Sequence, residues 1–135
     1  SLEALALRHA APNMTPDILV KAHKANLQGD TAQDVHEWEA ANRCFHRTIL
    51  EPCQMPRLMR SIDDLQAASA RFILRAWLTN WEARTDHDHR KILEALRKGQ
   101  VDLACSTLSR QVGWIGKRSR TLKNQAGTDS SEFFR

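Results

Sequence analysis

Glycine and proline are scarce in this 135-residue sequence, at five and four residues, and cysteine occurs three times. So few breakers exclude a collagen-like or low-complexity chain and leave long stretches free to be helical. Cys44, Cys53 and Cys105 are widely spaced, and no two form a Cys-x-x-Cys pair. Neither a zinc ribbon nor a disulfide framework is therefore indicated, and a reducing cytoplasm is the expected location. No apolar run approaches the roughly 20 residues needed to cross a bilayer, so no membrane association is expected. The opening Ser1-Leu2-Glu3-Ala4 has no basic segment followed by a long apolar stretch, so no signal peptide is visible.

The residues present, 41% apolar and 27% charged, suit one soluble domain with a single core. The net charge is +4, but much of the excess sits in the tail, where Lys117, Arg118, Arg120, Lys123 and Arg135 face only Asp129 and Glu132. The body is nearly balanced, which argues against a direct nucleic-acid role.

Punctuation and periodicity divide the chain into about six helices, and an antiparallel all-α bundle is the expected fold. The first holds Leu2, Leu5 and Ala6 and ends near Pro12. Thr15-Pro16-Asp17 reads as a cap, a proline at the first helical position and an acid in the first turn of a second helix running to about Gly29. Asp30 or Thr31 is the expected cap of a third, which continues to about Leu50. The fourth extends from about Pro56 to Trp81, with Leu58, Ile62, Leu65, Phe72 and Ala76 as its core stripe. Thr85 or Asp86 caps the fifth, Gly99 ends it, and the sixth runs from near Val101 to about Leu122. The domain is expected over residues 1–122, followed by a flexible tail over 123–135.

Polar residues interrupt three apolar stripes. In the third helix Val35, Trp38, Phe45 and Ile49 face inward, and Asn42 and His46 follow Trp38 at successive turns of that face. His89 sits three and four residues before Ile92 and Leu93, and Gln111 lies three beyond Leu108 on the inward side of the sixth helix. A buried amide or imidazole needs a partner, since leaving it unpaired costs about 1–3 kcal/mol. One such histidine is usually a hydrogen-bonded core residue. Four polar residues on three helices either satisfy one another or surround a cavity holding water, a metal or an organic ligand.

These segments resemble the FCD domain, the C-terminal effector-binding and dimerisation domain of the FadR-type branch of GntR-like bacterial transcription regulators. The resemblance covers Leu2 to about Leu122. It rests on Leu2-Glu3 with Met14-Thr15-Pro16, and on Asn42-Arg43-Cys44-Phe45-His46 against the family's Asp-x-x-Phe-His. It also rests on Asp88-His89-Arg90-Lys91-Ile92 with Ala95, and on Ala104, Leu108 and Gln111, where the family commonly ends in His. The resemblance implies an effector site at Asn42, His46, His89 and Gln111.

In metal-binding members the corresponding Asp and three His hold a divalent cation, often zinc or nickel. The resemblance therefore places candidate ligands at His46, His89 and Asn42, but Asn42 stands for the carboxylate and Gln111 for the last imidazole. Neutral amides are poor zinc ligands and leave a divalent charge uncompensated at these four positions. A family branch that binds fatty acyl-CoA without metal offers a precedent. The expectation is that no metal is tightly held and that purified protein carries less than one equivalent of zinc or nickel.

Arg71 and Arg75 border the long helix's stripe and are candidates for gripping a ligand carboxylate, against the simpler role of a solvated guanidinium. Trp77 and Trp81 suit core packing, a pocket or a dimer interface. His9, His23, His36 and His87 read as surface residues, and Glu82 and Asp86 as supports for helix ends. The resemblance implies a non-enzymatic sensor that binds a carboxylate metabolite or an acyl-CoA-like effector and forms a homodimer. Operator DNA would be bound only through an N-terminal winged-helix domain, and no basic helix-turn-helix segment precedes Leu2. Two alternatives stand beside it. His87-Asp88 is the dipeptide of HD-type metal-dependent phosphohydrolases, and a purely structural bundle would close the polar residues into a network without a cavity.

Overall fold

The computed structural model describes the backbone of residues 1–77 and 86–112 and the side chains of all of these except 76 and 77. Among the described residues the chain is entirely helical between its turns. Helix α1 spans Leu2–Ala10, α2 Pro16–Asp30, α3 Val35–Leu50, α4 Pro56–Trp77 and α5 His87–Arg97, and α6 covers residues 101–112. Short 3-10 turns at Ala11–Asn13 and Glu51–Cys53 lead out of α1 and α3. The ends expected near Trp81 and Leu122, the Trp77 and Trp81 side chains, Glu82 and the tail over 123–135 lie outside the described residues.

Side-chain caps start most of these helices. Thr15 Oγ1 accepts from the Ile18 amide, with Pro16 at the first helical position, where a missing N–H costs nothing. Asp86 Oδ1 accepts from the His89 amide at 3.0 Å and starts α5. Gly99 takes φ +72°, a left-handed conformation, and ends the α5 region as its position suggested. The start of α3 is a correction. Neither Asp30 nor Thr31 caps it; Asp34 does, accepting from the Glu37 amide at 2.8 Å, while Glu37 Oε2 accepts from the Gln33 amide at 2.7 Å. Asp30 instead belongs to α2, and its carboxylate accepts from the Asp86 amide at 3.0 Å and from Arg90 at 2.7 Å.

The short 31–34 connection folds α3 back along α2. α3 also packs on α1 and α4, and α5 lies against α2. Leu7, Phe45, Ile49, Leu50, Ile92, Leu93 and Leu108 form the centre of one core. The stripe expected on α4 needs a second correction. Ile62 is buried, but Leu65 and Phe72 are 58% and 41% exposed, and Met59 and Ala70 take the inward positions. Leu65 and Phe72, seven residues apart, share a row that flanks the buried face rather than lying in it.

Candidate functional site

α3 and α5 bring their inward histidines edge to edge. His46 Nε2 and His89 Nε2 are 3.3 Å apart, and the Phe45 ring stacks on His89 with centroids 3.9 Å apart and planes 14° from parallel. Both imidazoles are almost wholly buried. Each has an acceptor behind it. His46 Nδ1–H donates to Glu3 Oε1 at 2.7 Å, and Gln66 Nε2 donates to the same oxygen at 2.9 Å. His89 Nδ1 faces Asn26 Oδ1 at 3.2 Å and Asp86 Oδ2 at 3.4 Å.

The line therefore runs from a carboxylate through two imidazoles to a second carboxylate, and it ties α1, α3 and α5 together. Gln111 extends it to α6, donating from Nε2 to Asp86 Oδ2 at 3.2 Å. Burial, and then the neighbouring His46, holds the His89 imidazole well below its ordinary range. Burial also pushes the Asp86 carboxyl up, against the pull of the His89 amide.

A cavity of about 270 Å³ opens beside His46, between α1, α3, α4 and α6. Glu3, Asn42, His46, Gln66 and Ser69 give it a polar side, while Leu2, Ile62, Ala70, Ile73 and Val112 give it an apolar one. Glu39 and Arg43, an ion pair at 3.6 Å, also line it. Burial raises the Glu39 carboxyl from its usual range. A second void of about 10 Å³, enough for one water-sized sphere, lies between Asn26, Asn42, Asp86 and His89. Asn42 lines both spaces.

The structure thus brings Asn42 and His46 to the larger cavity and His89 to the void, and it ties Gln111 to that void through Asp86. It does not bring Arg71 or Arg75 there, since both are exposed on α4 and neither lines the cavity. Glu3, Asn26, Asp30, Gln66 and Asp86 belong to the site and were not assigned to it from sequence: tertiary packing brings the first four there, and Asp86, three residues before His89, was read only as a support for a helix end. Glu3 did carry a signal, as an acid on the same helical face as the buried Ala6, Leu7 and Ala10. His87 is exposed, so the His-Asp dipeptide does not bring its histidine into the buried pair.

The donor set admits a test for a divalent cation. Among the described residues no three His, Cys, Asp or Glu side chains form a metal-holding group, so a cation would have to draw on amides. Two buried amides are candidates. Asn42 Oδ1 and Gln111 Oε1 are buried oxygens without a hydrogen-bond partner. With His46 Nδ1–H donating to Glu3, His46 Nε2 is an acceptor, and the 3.3 Å contact is a hydrogen bond when His89 carries its proton on Nε2. Two imidazole nitrogens bound to one tetrahedral zinc ion are themselves about 3.3 Å apart. Among the described residues, two imidazoles and two neutral amides with no third His, Cys, Asp or Glu do not fit a divalent cation.

The chain matches the FCD domain over residues 1–112. Its fold is similar to that in a crystal structure of a transcriptional regulator, a GntR family member from Pseudomonas syringae pv. tomato str. DC3000. The TM-score is 0.81 and the identity 22%, over 95% of this chain and 55% of that one. This chain thus spans about half the length of that regulator. No curated protein matches it. No described helix is long and apolar enough to cross a membrane. With the family match running from Ser1 to Val112, through every described helix, this chain belongs to the FCD domain family.

Proposed function

We infer that this chain is the ligand-sensing module of a GntR-type transcription regulator. It takes a small metabolite into the cavity beside His46 and passes the occupancy to α5 and α6. The observation that carries this reading is the buried line Glu3–His46–His89–Asp86, which starts at the cavity wall and ends at the cap of α5. A ligand that displaces His46 or Asn42 acts on the groups that hold α5 against α2 and α6. In the full-length regulator this movement would alter operator binding by an N-terminal winged-helix domain, with the module assembled as a homodimer. The exposed Leu65 and Phe72 on α4 supply apolar surface for such an assembly.

A volume near 270 Å³ lies at the small end of ligand pockets and suits a small organic acid better than an acyl-CoA. Arg43, the cationic side chain among the described residues lining the cavity, is a partner for its carboxylate.

The test is a thermal-shift screen of small organic acids, sugar acids and acyl-CoA, with and without zinc. A bound effector raises the melting temperature by mass action. The expected result is a shift with one class of small acid that disappears in His46→Ala. A panel that moves neither protein overturns the sensor reading and favours a closed structural network.

A further inference from the structure

The wall that α3 presents to the cavity carries charges of both signs. Glu39, Asn42, Arg43 and His46 stand at i, i+3, i+4 and i+7, which is one face of a helix, and all four line the space. The apolar lining comes from other helices, with Leu2 on α1, Ile62 and Ile73 on α4 and Val112 on α6. Among the described residues the charged side chains of the lining are two carboxylates and one guanidinium. Glu3 is committed, since its Oε1 accepts from both His46 and Gln66. Glu39 is not. Its side chain is only 13% exposed, yet its ion pair is with Arg43 Nε at 3.6 Å, too long for a hydrogen bond. Burial accordingly holds the Glu39 carboxyl above its usual range despite Arg43. Three residues on, Asn42 Oδ1 is a buried acceptor without a partner. This wall is short of donors and of positive charge.

A ligand bearing only a carboxylate would pair with Arg43 but bring a like charge up to Glu39, one turn away on the same face, and would offer Asn42 nothing. An ammonium group beside that carboxylate reverses both deficits. We propose that the cavity selects a small zwitterion, an amino acid with a short aliphatic side chain, with its ammonium group held by Glu39 and its carboxylate by Arg43. This rests on the reading of the cavity as the effector site. Binding exchanges one loose ion pair for two charge-assisted ones, in the alternating order Glu39, ammonium, carboxylate, Arg43. Residues four apart on a helix have Cβ atoms about 5–6 Å apart, so these two long side chains can converge on adjacent groups of one amino acid. The ammonium also brings three donors, one more than the Glu39 oxygens can each take singly, and Asn42 accepts the third. The aliphatic body lies against Ile62, Ile73 and Val112, where a sugar acid would bury hydroxyls without partners. Glu39 is thereby the residue that separates amino acids from plain carboxylates.

The experiment is isothermal titration of the chain, at neutral pH, with L-alanine, L-valine and L-leucine. Each is compared with its 2-hydroxy acid, which keeps a donor but loses the positive charge, and with its decarboxylated amine. The variants are Glu39→Gln and Arg43→Gln, glutamine being as good a helix former as either residue it replaces. Melting of the ligand-free variants checks that the fold is kept. The expected result is one equivalent of at least one amino acid, bound about 10-fold or more tightly than either of its analogues. Glu39→Gln should erase the preference over the hydroxy acid, and Arg43→Gln the preference over the amine. A merely structural role would weaken all three ligands alike, and that outcome overturns the assignment of the two residues. A hydroxy acid or an amine that binds the wild type as tightly as its amino acid overturns the zwitterion and leaves the sensor reading standing. Binding of none of these compounds also overturns the proposal, and the wider screen of organic acids then answers separately for the sensor reading.

Discussion

Replacing Asp86 with alanine tests whether the cap of α5 and the polar line are one structural unit. The carboxylate makes two separable contributions. Oδ1 accepts from the His89 amide at 3.0 Å and caps the helix, a role whose loss costs about 1 kcal/mol. Oδ2 accepts from Gln111 Nε2 at 3.2 Å, and its removal strands a buried amide at about 1–3 kcal/mol. Against these stands the burial that pushes the Asp86 carboxyl upward, a cost that alanine removes. The balance is a loss of about 2 kcal/mol for Asp86→Ala. Asp86→Asn keeps the capping oxygen but loses the second acceptor facing Gln111, so it should recover only the cap's share and lose about 1 kcal/mol. Urea unfolding followed by circular dichroism, at neutral pH with chelator present, measures both. With a denaturant slope near 2 kcal/mol per molar, Asp86→Ala lowers the midpoint by about 1 M. The reasoning is refuted if alanine stays within about 0.5 kcal/mol of wild type, or if asparagine is as damaging as alanine.

Stability should fall as pH drops below about 6.5, because burial keeps His89 from taking a proton that the unfolded chain accepts. The loss approaches about 1.4 kcal/mol per pH unit, and chemical denaturation from pH 7.5 to 5.5 should show it in wild type and reduce it in His89→Gln. The raised Asp86 and Glu39 carboxyls act with opposite sign. Their protonation favours the folded state as pH falls through their folded values, so the decline should blunt at more acidic pH. Gly99→Ala forces a Cβ into the left-handed region at φ +72° and should cost about 1–2 kcal/mol by thermal melting, although nothing crowds the site. Ile62→Ala should cost about 2–5 kcal/mol, whereas Leu65→Ala should cost less than about 1 kcal/mol in the isolated protomer. Equal losses at these two positions would contradict the observed facing of α4.

The legible part of this protein was local. Thr15-Pro16, Asp86 and Gly99 mark helix boundaries through contacts within a few residues, and a sequence displays such contacts directly. Asn42, His46, His89 and Gln111 stood out because a polar residue in an apolar stripe is a conflict visible in one dimension. Asp30 was assigned the wrong role because its competing partners, the Asp86 amide and Arg90, lie about 60 residues away. Leu65 and Phe72 entered the wrong face because hydrophobicity alone does not fix the rotation of a long helix against its neighbours.

The sequence by itself determined an all-helical chain, most of its helix starts and the four inward polar positions. All of these follow from periodicity and capping within single segments. Tertiary structure alone decided that His46 and His89 meet at Nε2, that Glu3 stands behind His46, and that a cavity opens on one side. The Glu3–His46 contact belongs to this second group, because a carboxylate on another helix reaches an imidazole only when packing places it there.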